Sequence, residues 1–240
     1  MLVAGTADAN HSWGSYHWAK TTNLLSLKLG DAVTNTWDAS LGLASGDWSL
    51  SSILDTSVVT SRVNPKTCKP TSGRVEVCNS KYGNNGWLGI AQIWITSGEH
   101  ITQGVVKLND TYFNTKTYNT PAWKQFVVCQ EIGHTFGLDH QDEDFANANL
   151  GTCMDYTSNP ITNQHPNQHD YDQLANIYAH FDSINTAKNS VSSAKARDLD
   201  VENKAEWGKE IKKDKKGNSS LYERDLKNGE KIFTFVIWAE

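Results

Sequence analysis

The sequence predicts an α+β fold, with a body of strands and helices followed by a small C-terminal extension made of a helix and a β-hairpin. Three observations predict it. Short alternating or apolar runs, Leu24–Leu29, Trp87–Ile95 and Ile101–Leu108, have strand character and are punctuated by Gly- and Asn-containing turns. A helix opens at Thr120-Pro121, with Thr120 as cap and Pro121 at the first helical position, and runs into a Gln/Glu/His cluster. Past Ser183 the composition changes, and Asn228-Gly229 sits between two further apolar runs, a hairpin signal.

In order along the chain, the aromatic-rich stretch His11–Lys20 leads into the first strand, Leu24–Leu29, which Gly30-Asp31 ends. Ala32–Leu50 carries Val33, Trp37, Leu41 and Ala44 at helical spacing and predicts an amphipathic helix interrupted near Gly42 and Gly46. Val58-Val59 and Arg74–Cys78 read as short strands. Asn84-Asn85-Gly86 turns the chain into Trp87–Ile95, and Ser97-Gly98-Glu99 turns it into Ile101–Leu108. A last helix of the body, His169–Phe181, places Tyr171, Leu174, Ile177, Tyr178 and Phe181 on one face. The Ser-, Asn- and Ala-rich stretch 184–196 reads as a linker between a body, 1–183, and the extension, 197–240. In the extension Glu202–Lys213 is expected to be helical, and Leu221–Leu226 and Ile232–Trp238 to form the hairpin. An isolated two-stranded hairpin is marginal, so this one is expected to dock on the body or on a partner. The lysine run 212–216 reads as a solvated face.

The chain of 240 residues is 38% hydrophobic and 20% charged, enough to bury a proper core. Its net charge of −5 gives no electrostatic footprint for nucleic acid, so no nucleic-acid partner is expected. No apolar run approaches the roughly 20 residues needed to cross a bilayer. Met1–Asn10 lacks the basic and apolar regions of a signal peptide. The expectation is a monomer.

The chemistry concentrates in Gln130-Glu131-Ile132-Gly133-His134-Thr135-Phe136-Gly137-Leu138-Asp139-His140. At helical spacing Gln130, Glu131 and His134 share a face. Gly137, one turn later, can bend the chain sharply and bring His140 back toward His134. Two imidazoles and a carboxylate would then converge, a set that suits zinc in a site with an open position. The zinc-protease pattern H-E-x-x-H-x-x-G-x-x-H, followed by a methionine turn, is matched at every fixed position except the first, where Gln130 stands in place of His. Cys153-Met154-Asp155-Tyr156 lies downstream as the candidate turn.

These residues resemble the metal site of the metzincins, zinc endopeptidases that are mostly secreted, of the matrixin-like, secreted bacterial or fungal type. The resemblance implies a twisted mixed sheet with a metal helix and a Met-turn, and a catalytic domain over 1–183. It implies His134 and His140 as zinc ligands with Gln130 at the third position, Glu131 as the base that activates water, Met154 beneath the metal and Tyr156 as an auxiliary group. It also makes Trp87–Ile95 the edge strand of the cleft, with Gly89, Ile90 and Ala91 in contact with a protein or peptide substrate; an ordinary core strand is the other reading of that run.

A glutamine amide offers only a neutral oxygen, a harder and weaker donor than imidazole. Three outcomes stay open: Gln130 coordinates, another group (His11, His17, His100, His165, His169 or Asp144) completes the shell, or metal is held poorly. The last would make the chain a catalytically impaired protein that acts as a binding module. The His165/His169 pair more simply precedes and starts a helix, since Pro166 lies between them. The acidic group Asp139, Asp142, Glu143 and Asp144 suits calcium by composition but lacks the spaced ligands of an EF-hand, so a solvated loop is expected. Of the three pairings open to four cysteines, Cys68–Cys78 and Cys129–Cys153 are favoured, because the second ties the metal helix to the turn it must face. Four buried thiols are the alternative. The disulfide reading places the protein outside the cytoplasm, as a secreted protein.

Overall fold

The computed structural model describes residues 10–188, 203–227 and 229–239. Among them, nine strands form one mixed sheet. They are β1 (His17–Trp18), β2 (Leu25–Ala32), β3 (Leu54–Thr60), β4 (Arg74–Ser80), β5 (Trp87–Ser97), β6 (His100–Asn109), β7 (Lys209–Lys213), β8 (Ser219–Lys227) and β9 (Glu230–Trp238). Their order is β3-β2-β4-β6-β5-β9-β8-β7, with β1 pairing to β6 off this path. The β1, β2, β3, β4 and β6 pairings are parallel, whereas β5, β9, β8 and β7 continue the sheet antiparallel.

The patterning explains the layers. Leu25, Leu27 and Leu29 of β2 are buried while Ser26 and Lys28 are exposed, the alternation of a strand with one wet face. Nearly every residue of β6 is buried, so that strand lies inside the sheet and is covered on both faces. Helices α1 (Asp38–Trp48) and α3 (Pro121–His134) pack on each other and on the sheet, with the short α2 (Asp110–Phe113) and α4 (Gln168–Ile177) beside them. Thr120 caps α3 by accepting the Trp123 N–H at 3.2 Å, and Pro121 follows it. Its other end, where helix carbonyls lack partners, is met by side chains: the Trp18 indole donates to the Thr135 carbonyl and the Tyr178 hydroxyl to that of Phe136. The Trp48 indole donates to the Cys129 carbonyl within the same core.

Several expectations are corrected. α1 starts at Asp38 rather than Ala32, and it runs through Gly42 and Gly46 without interruption, held by Leu41, Ala44 and Trp48 in the core. The stretch expected to be helical from Glu202 contains β7 instead; Ile211 is its one large aliphatic residue, too little for a buried helical stripe, while β8 offers a strand partner. The hairpin pairs as β8–β9, with Asn228 outside the described residues. It docks on the body: β9 pairs along β5, so β5 is not the sheet edge expected. The linker expected over 184–196 lies from 189 onward outside the described residues, and Asn185 and Thr186 before it are buried. Disulfides join Cys68 to Cys78 and Cys129 to Cys153, with Cα separations of 6.0 and 5.9 Å, and no cysteine is free.

Candidate metal centre

Helix α3 ends at His134, and the chain then reverses at Gly137, whose φ is +99°. A Cβ there would lie 2.5 Å from the Tyr16 carbonyl oxygen, so both the backbone conformation and the close approach call for glycine. The reversal returns His140 to His134. Their rings lie 4.4 Å apart and nearly perpendicular, with the two Nε2 atoms 2.9 Å from each other.

The outer nitrogens show what the inner ones must be. His134 Nδ1 is 2.8 Å from the Leu138 carbonyl, which can only accept, so this nitrogen carries the hydrogen. His140 Nδ1 is 2.7 Å from Glu143 Oε1. Burial would raise the Glu143 pKa, but the His140 ring and the Lys212 ammonium outweigh it and hold the carboxyl at about 2, so it too accepts. Burial, and next the neighbouring His140, push the His134 imidazole well below its ordinary pKa. Two lone pairs therefore face each other across 2.9 Å, which requires a cation or a proton between them. Imidazoles anchored at one nitrogen and turned inward by the other are what a zinc site uses.

Gln130, one helical turn before His134, is fully buried. Its amide nitrogen donates to the Cys153 carbonyl at 2.8 Å, which leaves Oε1 without a partner among the described residues. An orphaned buried amide oxygen is open to a water or an ion. The donor set of two imidazole nitrogens and one neutral oxygen thus fits zinc, with the third donor a weak one.

Glu131 is buried, and among the described residues its carboxylate makes no well-aligned hydrogen bond, only a weak one with the Ala91 backbone. Burial pushes its pKa well above the usual carboxylate range, and the Ala91 backbone offsets this only in part. Strand β5 passes directly over it: a Cβ at Gly89 would lie 2.7 Å from Glu131 Oε1. Beneath α3, a Cβ at Gly133 would lie 2.6 Å from Met154 Sδ, so the sulfur packs on the helix backbone. The Tyr156 ring sits 4.4 Å from that of His140.

The chain's own β9 covers the site beside β5. Gly89, Ile90 and Ala91 lie in register with Ile237, Val236 and Phe235. Phe235 stacks on His134 with centroids 4.2 Å apart and planes 9° from parallel. The Tyr156 hydroxyl donates to the Val236 carbonyl at 3.2 Å, and Lys212 of β7 pairs with Asp139 and Glu143 at 2.8 and 3.3 Å. The lysine run is therefore not simply solvated. Phe235, Lys212 and the orienting role of Glu143 were not legible in the sequence; only the hairpin's need to dock pointed that way.

The substitute third ligands have other partners. His11 Nε2 pairs with Asp170, His169 stacks on His11, His165 pairs with Asp47, and His17 and His100 meet Asp182. Asp144 accepts the Ala146 N–H. Of the acidic group considered for calcium, Asp139 accepts the His140 N–H and Asp142 that of Asp144.

No family model matches the chain, and none of the curated proteins is similar to it. Among solved structures, the chain is similar to high choriolytic enzyme 1 (HCE-1), a hatching enzyme zinc-protease from Oryzias latipes (medaka fish), at 12% identity and a TM-score of 0.38, over 71% of this chain and 99% of that one.

Proposed function

We propose that the chain is a zinc-dependent, metzincin-like endopeptidase whose cleft is filled, in the form described, by its own C-terminal strand. The observation that carries this reading is the pair of inward-facing Nε2 atoms of His134 and His140, one turn from the buried Glu131. In it, His134 and His140 hold zinc through Nε2, Gln130 offers Oε1, and Met154 packs beneath the helix. Zinc supplies Lewis acidity, which polarises a carbonyl and makes water acidic near neutral pH. Glu131 takes the proton of the attacking water on a carboxylate oxygen and returns it to the leaving amine. The Tyr156 hydroxyl donates to a peptide carbonyl, as it does to that of Val236. An extended peptide pairs with Gly89–Ala91 of β5 through main-chain hydrogen bonds, in the place β9 takes. The disulfides suit a protein that works outside the cytoplasm.

The second reading, a binding module without turnover, is favoured by Gln130 and by the filled cleft. Hydrolysis of a quenched fluorogenic peptide library by the full chain distinguishes the two. Phe235→Ala with Val236→Pro removes the ring over His134 and a β9 amide, which loosens the strand. This variant is expected to hydrolyse peptides faster than the wild type, and chelation or Glu131→Gln is expected to abolish the activity. A zinc-loaded, folded variant that cleaves nothing would overturn the enzyme reading in favour of the binding module.

A further inference from the structure

A second convergence of metal-binding side chains lies outside the His134–His140 site, and we propose that it is a zinc site formed by His17, His100, His180 and Asp182. The four residues come from β1, the first residue of β6 and the segment after α4. Asp182 Oδ1 is 3.4 Å from His17 Nε2, 3.1 Å from His100 Nε2 and 3.6 Å from His180 Nε2. His180 Nε2 is 3.1 Å from His17 Nε2. Four ligands at zinc bond lengths of about 2.0–2.1 Å stand about 3.3 Å apart at the corners of a tetrahedron. Four of the six edges scatter around that value; His17, His100 and Asp182 have their ligand atoms within 4.8 Å of one another, and His180 joins them through His17 and Asp182.

The hydrogens give an independent argument. His17 Nδ1 is 2.7 Å from the Ser15 carbonyl, which only accepts, so Nδ1 carries the hydrogen and neutral His17 has its lone pair at Nε2. That lone pair stands 3.4 Å from Asp182 Oδ1, so two acceptors face each other there, and a cation between them satisfies both. The other oxygen of Asp182 accepts the Lys20 backbone N–H at 2.9 Å, which turns Oδ1 toward the three rings. Such outer contacts orient metal ligands.

The site also has structural work to do. β1 is only two residues long, too short a ladder to hold itself, yet its Trp18 caps the end of α3 through the Thr135 carbonyl. A metal joining β1 to β6 and to the chain after α4 fixes that support. The inference does not rest on the protease reading, because neither the residues nor the role are shared with it.

The test is zinc content and thermal stability of the full chain, stripped with chelator and then titrated with zinc chloride. His100→Ala and, separately, His180→Ala are compared with the wild type; His100 is partly exposed and His180 is half-exposed, so neither change removes core packing. Each variant is expected to bind one zinc fewer per chain, and to show a smaller rise in Tm on zinc addition than the wild type. In the wild type, cobalt is expected to give the visible absorption of a tetrahedral site, weakened in both variants. Unchanged zinc stoichiometry and an unchanged Tm response in both variants, with near-UV circular dichroism showing them folded, would overturn the proposal.

Discussion

In the proposed centre, Gln130 is the residue expected to set how tightly zinc is held. Its amide is fixed by the Cys153 carbonyl, which presents the oxygen as the free atom, but that oxygen is neutral and harder than an imidazole nitrogen. Changing a group that merely orients a ligand shifts metal affinity by about 10–100-fold, and a ligand counts for no less. Gln130→His is therefore expected to tighten zinc binding by at least about tenfold in a competition titration with a chelating dye. An unchanged affinity would mean that this position does not face the metal. At this scale the sequence was informative: the spacing of Glu131, His134, Gly137 and His140 carried the geometry, because helix periodicity and a positive-φ glycine are local rules. Glu143 was visible as an acid but not as the group that orients His140, since that depends on how the loop after the helix folds back.

Among the elements, those that follow from alternation or capping were legible. β2, β5, β6 and α3 lie where period-two patterning, the Thr120 cap and Pro121 place them. The failures have physical causes. β7 takes its structure from pairing with β8 rather than from its own residues, because a five-residue strand with little apolar content is made by its partner. The hairpin itself was marked by Asn-Gly, but its docking site was not. A strand edge is a row of unpaired backbone groups, and it accepts any extended segment that reaches it. Which segment reaches β5 is a tertiary matter that no local pattern encodes. β9 fits it well, with its 231–237 stretch in register along the strand and Phe235 over His134.

For the whole molecule, the partly buried Tyr171 and the buried Tyr178 are expected to lower stability at alkaline pH. Burial, and next the charges of Asp47 and Asp170, push Tyr171 up to about 12, and burial moves Tyr178 in the same direction. An unfolded tyrosine loses its proton near pH 10, as about 10 is its ordinary pKa. Between about 10 and 12 the native chain keeps a proton that the unfolded chain has released, so unfolding releases protons and stability falls as pH rises. This contribution is present in full below pH 10 and is gone above about 12. Tm measured from pH 9 to 12 is expected to drop across that window, with a shallower slope in Tyr171→Phe. Parallel slopes would show that this phenol does not contribute.

A cation shared by two inward-facing imidazoles at the end of α3 is what the proposed function requires. Crystals of the full chain grown with zinc, and measured on both sides of the zinc absorption edge, test it directly. An anomalous peak bonded to the Nε2 atoms of His134 and His140, with Gln130 Oε1 as the third protein ligand, is the predicted result. No peak at that position, with the two rings joined by a proton alone, would contradict it.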